Sequence, residues 1–156
     1  MYETQPGRQP PAQPDVDAGK LWAGGVATAV VAALIAVVGI LVVRGLLNVY
    51  MIAPKDQGAW ESASALPYAF IAAFGALVAT ALMHLLLLTT PRPTLFFGWI
   101  MFLVGVVVGV WPFTTGAELK PQIATAALNV IIVLAIWSLV TGTAHRALSP
   151  YARDVL

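Results

Sequence analysis

The chain has 156 residues, of which 60% are hydrophobic and 10% charged, with a formal net charge of +1. Soluble domains carry about a quarter charged residues and about 45–50% apolar ones, so these side chains cannot cover a water-facing surface and are too apolar for disorder over most of the length. Eight basic residues against seven acidic ones cannot build a phosphate-tracking stripe, which excludes a nucleic-acid binder. Without cysteine the chain forms no disulfide, zinc thiolate site or iron–sulfur cluster of its own.

In chain order, Pro6, Pro10, Pro11 and Pro14 alternate with Gln5, Gln9 and Gln13. That composition predicts an extended tail over 1–20. Leu21–Val43 is free of charge and as a helix would be about 34 Å long, against a hydrocarbon core of about 30 Å. With Arg44 and the apolar residues after it, the first helix is expected over about 21–52. The residues from Ala53 to Ala65 form the longest connection and hold Lys55, Asp56, Gly58 and Glu61. Ala63-Ser64-Ala65 looks like a signal cleavage site, but the preceding apolar run is longer than a signal core and charges separate the two, so no cleavage is expected.

Three more spans are expected over about 66–90, 94–115 and 121–144, within a domain of 21–148 and before a short tail of 149–156. Pro67 and Pro121 fall in first turns, where a missing N–H costs little. Pro91 and Pro93 stop two helices and predict that the second and third spans are antiparallel neighbours. Trp111-Pro112-Phe113 closes the third span. Each segment is apolar all round, and a chain this short cannot bury four such helices away from lipid. The segments lack the period-two alternation of barrel strands. The expected fold is all-α, an integral membrane four-helix bundle with a Pro-rich extended N-terminal tail.

Four spans place both termini on one side. That side carries Arg8, Lys20, Arg92, Arg146 and Arg153, the other Arg44, Lys55 and Lys120. The bias predicts a multi-pass protein of the plasma (inner) membrane with cytoplasmic termini. Trp22, Phe96, Phe97, Trp99 and Tyr151 fall near the terminus side, and Tyr50, Trp60, Tyr68 and Trp111 near the other, where rings anchor at the interfaces.

Four intramembrane polar residues stand out. Arg44 reads as a cation snorkelling to headgroups, an ion-pair partner for Glu61, Glu118 or another protein, or part of a transport path. Asn48 is one turn later on the same face. His84 and His145 lie toward the same side at unequal heights, so haem ligation is disfavoured and a packing role for His84 preferred. Asn129 reads as interhelical glue. Thr80, Thr125, Ser138 and Thr141 are expected to return their hydroxyls to their own helices. Gly105 and Gly109 form a GxxxG, with Gly98 near the same face, and predict close helix packing, within the chain or against another subunit. Gly25, Ala29 and Ala33 make a similar stripe in the first span. No hydrolase, zincin or nucleotide-loop motif is present, and no cofactor is expected.

The Pro-rich tail, Arg44-Gly45-Leu46, Pro91-Arg92-Pro93-Thr94-Leu95-Phe96, Trp111-Pro112-Phe113 and Asn129-Val130-Ile131 leading to Ser138-Leu139 resemble the small four-helix membrane proteins of actinobacteria that have no assigned activity. The likeness covers about residues 20–148. Proteins of similar size and topology accompany the mycobacterial respiratory supercomplex of cytochrome bc and cytochrome oxidase as accessory subunits. The resemblance implies a non-catalytic subunit among other integral membrane subunits and lipids. A small transporter or channel component, with a polar path near Arg44, is the alternative.

Overall fold

A computed structural model describes residues 17–45, 65–116 and 118–147. Its elements are α1 (Ala18–Gly45), α2 (Ala65–Thr89), α3 (Pro93–Val110), a 3₁₀ turn (Trp111–Thr114) and α4 (Leu119–Ala147). The chain is all-α over these residues, and its four helices are each long and apolar enough to cross a membrane, making it a multi-pass membrane protein. The tail of 1–16, the segment of 46–64 with Asn48, Tyr50, Trp60 and Glu61, and residues 148–156 with Tyr151 lie outside the described residues.

The first helix begins earlier than its apolar run. Residues 18–20, expected in the tail, are its first turn. Asp17 is the reason: its carboxylate accepts from the Lys20 backbone N–H at 3.0 Å, and its carbonyl accepts from the Leu21 N–H at 3.1 Å. The Lys20 ammonium closes on the same carboxylate at 2.9 Å. Hydrogen bonds from the Lys20 side chain and then its backbone hold the Asp17 carboxyl below its ordinary value. The Asp17 N–H also donates to the Ala147 carbonyl at 3.0 Å, so the start of α1 meets the end of α4.

α1 lies between α2 and α4, and α3 packs on α4. α1 and α3 do not form a packed pair, and α2 gives α3 much less of its length than it gives α1. The second and third spans are thus sequential but only loosely joined. The described α1 buries Leu21, Gly25, Thr28, Ala29, Ala32, Ala36, Ile40 and Val43. These follow the three-and-four spacing of one helix face. Ala33 of the expected stripe is only partly buried. α2 answers with Ala69, Ala72, Ala76, Ala79, Thr80 and Met83, and α4 supplies the larger Leu128, Ile132, Ile136 and Val140. Lipid tails are as apolar as these side chains, so close packing rather than escape from water selects small residues here.

Three α1 glycines mark the closest approaches. A Cβ at Gly25 would stand 2.4 Å from Thr80 Cγ2 and 2.9 Å from its Cβ. A Cβ at Gly24 would stand 2.3 Å from Thr143 Cγ2, and one at Gly39 2.2 Å from Leu128 Cδ1. Thr80 and Thr143 turn their hydroxyls onto the Ala76 and Val140 carbonyls of their own helices, at 2.9 Å each, and present methyls to α1. Gly98, Gly105 and Gly109 all face α4, against Trp137, Val133 and Val130 at 3.3, 3.5 and 3.2 Å from a built Cβ. The GxxxG face is therefore an internal seam.

Phe97 corrects another expectation. It is fully buried in the core and does not anchor at an interface. Trp22, Phe96, Trp99 and Trp111 do face outward. At the opposite end, Gly116 takes φ 69° and reverses the chain into α4, a conformation natural to glycine.

The α1 seam predicts opposite responses to the same small change. Gly25→Ala drives a methyl into the backbone-proximal part of Thr80 and is expected to destabilise the bundle by about 1–3 kcal/mol. Gly75→Ala, where a Cβ meets nothing within 4 Å, is expected to raise stability by up to about 1 kcal/mol through helix propensity. Unfolding both variants in mixed micelles measures the contrast.

Candidate functional site

Pro112 sets the chemistry of the site. As a proline it has no N–H, so it cannot serve the carbonyl of Val108 four residues earlier in the α3 ladder. In hydrocarbon no water is at hand to take that role. The Asn129 side chain of α4 does so: its Nδ2 donates to the Val108 carbonyl at 2.8 Å. The same amide presents its Oδ1 to the Tyr68 hydroxyl of α2, which donates to it. One asparagine thereby joins three helices. The amide orientation is fixed by its surroundings, since the carbonyl needs a donor and the phenol supplies one.

Sequence reading places Asn129 as interhelical glue and Tyr68 as an interfacial ring. The asparagine is the hub; the tyrosine is half-buried and belongs to the same network. Pro112 in the last turn of the third span was the available signal, because it announces an unserved carbonyl somewhere in the preceding turn. The partner was not readable, since it lies on another helix.

A cleft of about 850 Å³ opens beside this network. Its α2 wall carries Ile71, Ala72, Gly75, Val78 and Leu82, its α3 wall Ile100, Met101, Val104 and Val108, and its α4 floor Ile132, Val133 and Ile136. Tyr68, Asn129 and Thr125 gather at one end, with Trp111, Pro112 and Thr115 closing it. The rest of the lining is apolar. α4 holds both walls, while α2 and α3 meet each other over only a short length.

Thr125 and Thr141 depart from the expectation for helical hydroxyls. Both oxygens are buried without a hydrogen-bond partner, whereas Thr80 bonds Ala76 and Ser138 bonds Ala135 of its own helix. Thr125 lines the polar end of the cleft.

The other polar candidates do not converge on this point. His84 lies about 24 Å further along α2 than Tyr68 at 1.5 Å per residue. It is half-buried and its Nδ1 has no partner. His145 is exposed and its Nδ1 is 2.7 Å from the Thr141 carbonyl of its own helix. Arg44 sits in the last described turn of α1, half-buried, where a cation complements the helix dipole. Its Nε is buried without a partner, and among the described residues it makes no ion pair. Asn48 lies outside the described residues. Among the described residues no three His, Asp or Glu side chains come together as a metal site.

The chain belongs to a family of unknown function (DUF6069), whose pattern matches residues 16–146. No curated protein and no solved structure matches it.

The three-helix network predicts a graded mutational series. Asn129→Leu leaves the Val108 carbonyl and the Tyr68 hydroxyl unserved and is expected to cost about 1–2 kcal/mol. Tyr68→Phe removes one hydroxyl and is expected to cost about 0.5 kcal/mol. Because both changes break the same bond, the double variant should fall short of the sum. Unfolding of the three variants in detergent, analysed as a double-mutant cycle, checks this.

Proposed function

We propose that this DUF6069 member is a non-catalytic subunit that stabilises a larger membrane assembly through the outer face of α3. The observation that carries the reading is the uneven burial of its spans. In α1, α2 and α4, 33%, 28% and 33% of the apolar stretch is buried within the bundle; for α3 with its 3₁₀ extension the share is 11%. Leu95, Trp99, Phe102, Leu103 and Val107 all remain more than 48% exposed on that helix. Trp99 and Phe102 pack edge to face, with ring centroids 6.0 Å apart, and form a broad aromatic surface directed outward. A helix with so few internal neighbours has area to offer a partner helix, and aromatic rings are favoured anchors in such contacts.

The internal polar chemistry supports the same reading. The Asn129 amide and the Tyr68 hydroxyl bind each other and a backbone carbonyl, which is a structural use. The spread of His84 and Asn129 along the span gives the transporter alternative no single polar patch. The partners in this reading are other integral membrane subunits, and the termini lie on the cytoplasmic side of the plasma membrane by the distribution of Lys and Arg. The respiratory supercomplex is the specific assembly to which the sequence resemblance points.

Purification from native membranes in mild detergent tests the proposal. The chain is expected to migrate with larger membrane proteins, and Trp99→Ala with Phe102→Ala is expected to weaken that association by about tenfold or more without lowering thermal stability. Migration at the mass of the isolated chain refutes it. Co-purifying proteins identified by mass spectrometry show whether the assembly is respiratory.

A further inference from the structure

We propose that the outer face of α4 binds one anionic phospholipid, with an acyl chain along a groove between Leu134 and Thr141 and the headgroup phosphate at His145, Arg146 and Arg92. The groove lies on α4, and the proposal does not depend on the accessory role. The groove is shallow, about 530 Å³ in volume, and is lined by Leu134, Ala135, Trp137, Ser138 and Thr141. Leu134, Ser138, Thr141 and His145 recur at steps of three and four residues, so they stack on a single helix face. The small side chains of Ala135 and Ser138 make the hollow. The Ser138 hydroxyl donates to the Ala135 carbonyl of its own helix at 3.0 Å, which leaves the surface of the groove mainly apolar.

Charge complementarity identifies the occupant. α4 has 29 residues and is about 43 Å long, so about 13 Å of it stands beyond a hydrocarbon core of about 30 Å. Its last turn holds His145 and Arg146, both exposed, at the level of the headgroups. The His145 Nδ1 donates to the Thr141 carbonyl at 2.7 Å, so the ring lies back on that turn and stands at the head of the groove. α3 and α4 run antiparallel, since Gly98 faces Trp137 and Gly109 faces Val130. An equal count back from Gly98 and on from Trp137 brings Arg92 level with Thr143. Arg92 is exposed and precedes α3 without a side-chain hydrogen bond to its cap. At this end the described residues include one carboxylate, that of Asp17, and Lys20 holds it at 2.9 Å. Arg92 and Arg146 make no ion pair among the described residues. Two guanidiniums thus stand unneutralised at headgroup depth, and an apolar groove leads from them into the acyl region. A guanidinium pairs with phosphate through two parallel hydrogen bonds. An anionic phospholipid supplies both the phosphate and the chain. A zwitterionic one brings its own cation to the phosphate, and a soluble phosphate leaves the groove unfilled.

Ser138 makes the proposal testable apart from the charges. The full-length protein in mild detergent is titrated with dioleoyl phosphatidylglycerol or dioleoyl phosphatidylcholine, and bound lipid is counted by native mass spectrometry. One phosphatidylglycerol is expected to bind about tenfold more tightly than phosphatidylcholine, because two arginines act on it. Arg92→Ala and Arg146→Ala are each expected to weaken phosphatidylglycerol about fivefold and to leave phosphatidylcholine unchanged. Ser138→Phe fills the groove while every charge stays in place, and is expected to weaken phosphatidylglycerol by about fivefold or more. Ser138 is exposed, so the thermal stability of that variant is expected to hold. Equal affinity for the two lipids, undiminished binding by Ser138→Phe, or displacement of the lipid by glycerol phosphate, which has no acyl chain, would each overturn it.

Discussion

A hydrocarbon interior gives a backbone carbonyl no water to fall back on, and the arrangement of this bundle follows from how one such carbonyl is served. Pro112 ends α3 and takes away the N–H that Val108 would have used. The substitute has to come from outside the helix, at a fixed depth and with a donor of the right reach. Asn129 meets those terms at 2.8 Å. Its obligation to α3 sets the height of α4 against α3, and its other atom brings in Tyr68 and so the start of α2. An asparagine inside a span is costly when alone; here both ends of its amide are used. The polar group and the proline thus account for each other.

Packing fixes the other contacts by a different rule. α1 is drawn tight against α2 and α4 because Gly24, Gly25 and Gly39 leave no Cβ where threonine methyls and a leucine must lie. α3 meets α4 through Gly98, Gly105 and Gly109. In water, burying apolar area would dominate, and bulky side chains would seek the centre. In lipid the two sides of that exchange are nearly equal, and the helices that approach closest are those with the least side chain in the way. Beside the alanines of α1 and α2, α4 sets Leu128, Ile132, Ile136 and Val140, and Leu21, Met83 and Phe97 complete the core.

Much of this was legible from the sequence, and the misses have physical causes. The four spans are visible because uncharged runs of membrane length have few alternatives in so short a chain. Asn129 stands out by its polarity within such a run. The early start of α1 was missed because hydropathy registers the apolar segment and not the cap, although an aspartate three residues before Lys20 is a helix-start signal. Phe97 was misplaced because proximity to a span end gives a residue's depth but not its direction around the helix, and the same limit hid the turn of the Tyr68 hydroxyl toward Asn129. The tightest glycines lie in α1, outside the GxxxG motif, since a motif reports small residues at a spacing and says nothing of the partner's side chain. Thr125 could not be told from Thr80 in the sequence. Both are threonines in apolar helices, and only the direction of the hydroxyl separates them.

The cleft is a consequence of these commitments. α2 gives its alanine face to α1, and α3 gives its glycine face to α4. α3 then has no small-residue face left to meet Ala72 and Gly75 of α2, although the Pro91–Pro93 connection makes the two helices sequence neighbours. Residues such as Ile71, Val78, Ile100 and Val104 stand on the facing walls without interlocking, and α4 spans the space between as a floor. The same choice leaves α3 attached along one side and bare along the rest. One allocation of small residues therefore produces both an inner space between two helices and an outer face on the third span. A change that moved glycines from the α3–α4 seam to an α2–α3 seam would close the first and shift the second, without altering the hydropathy of the chain.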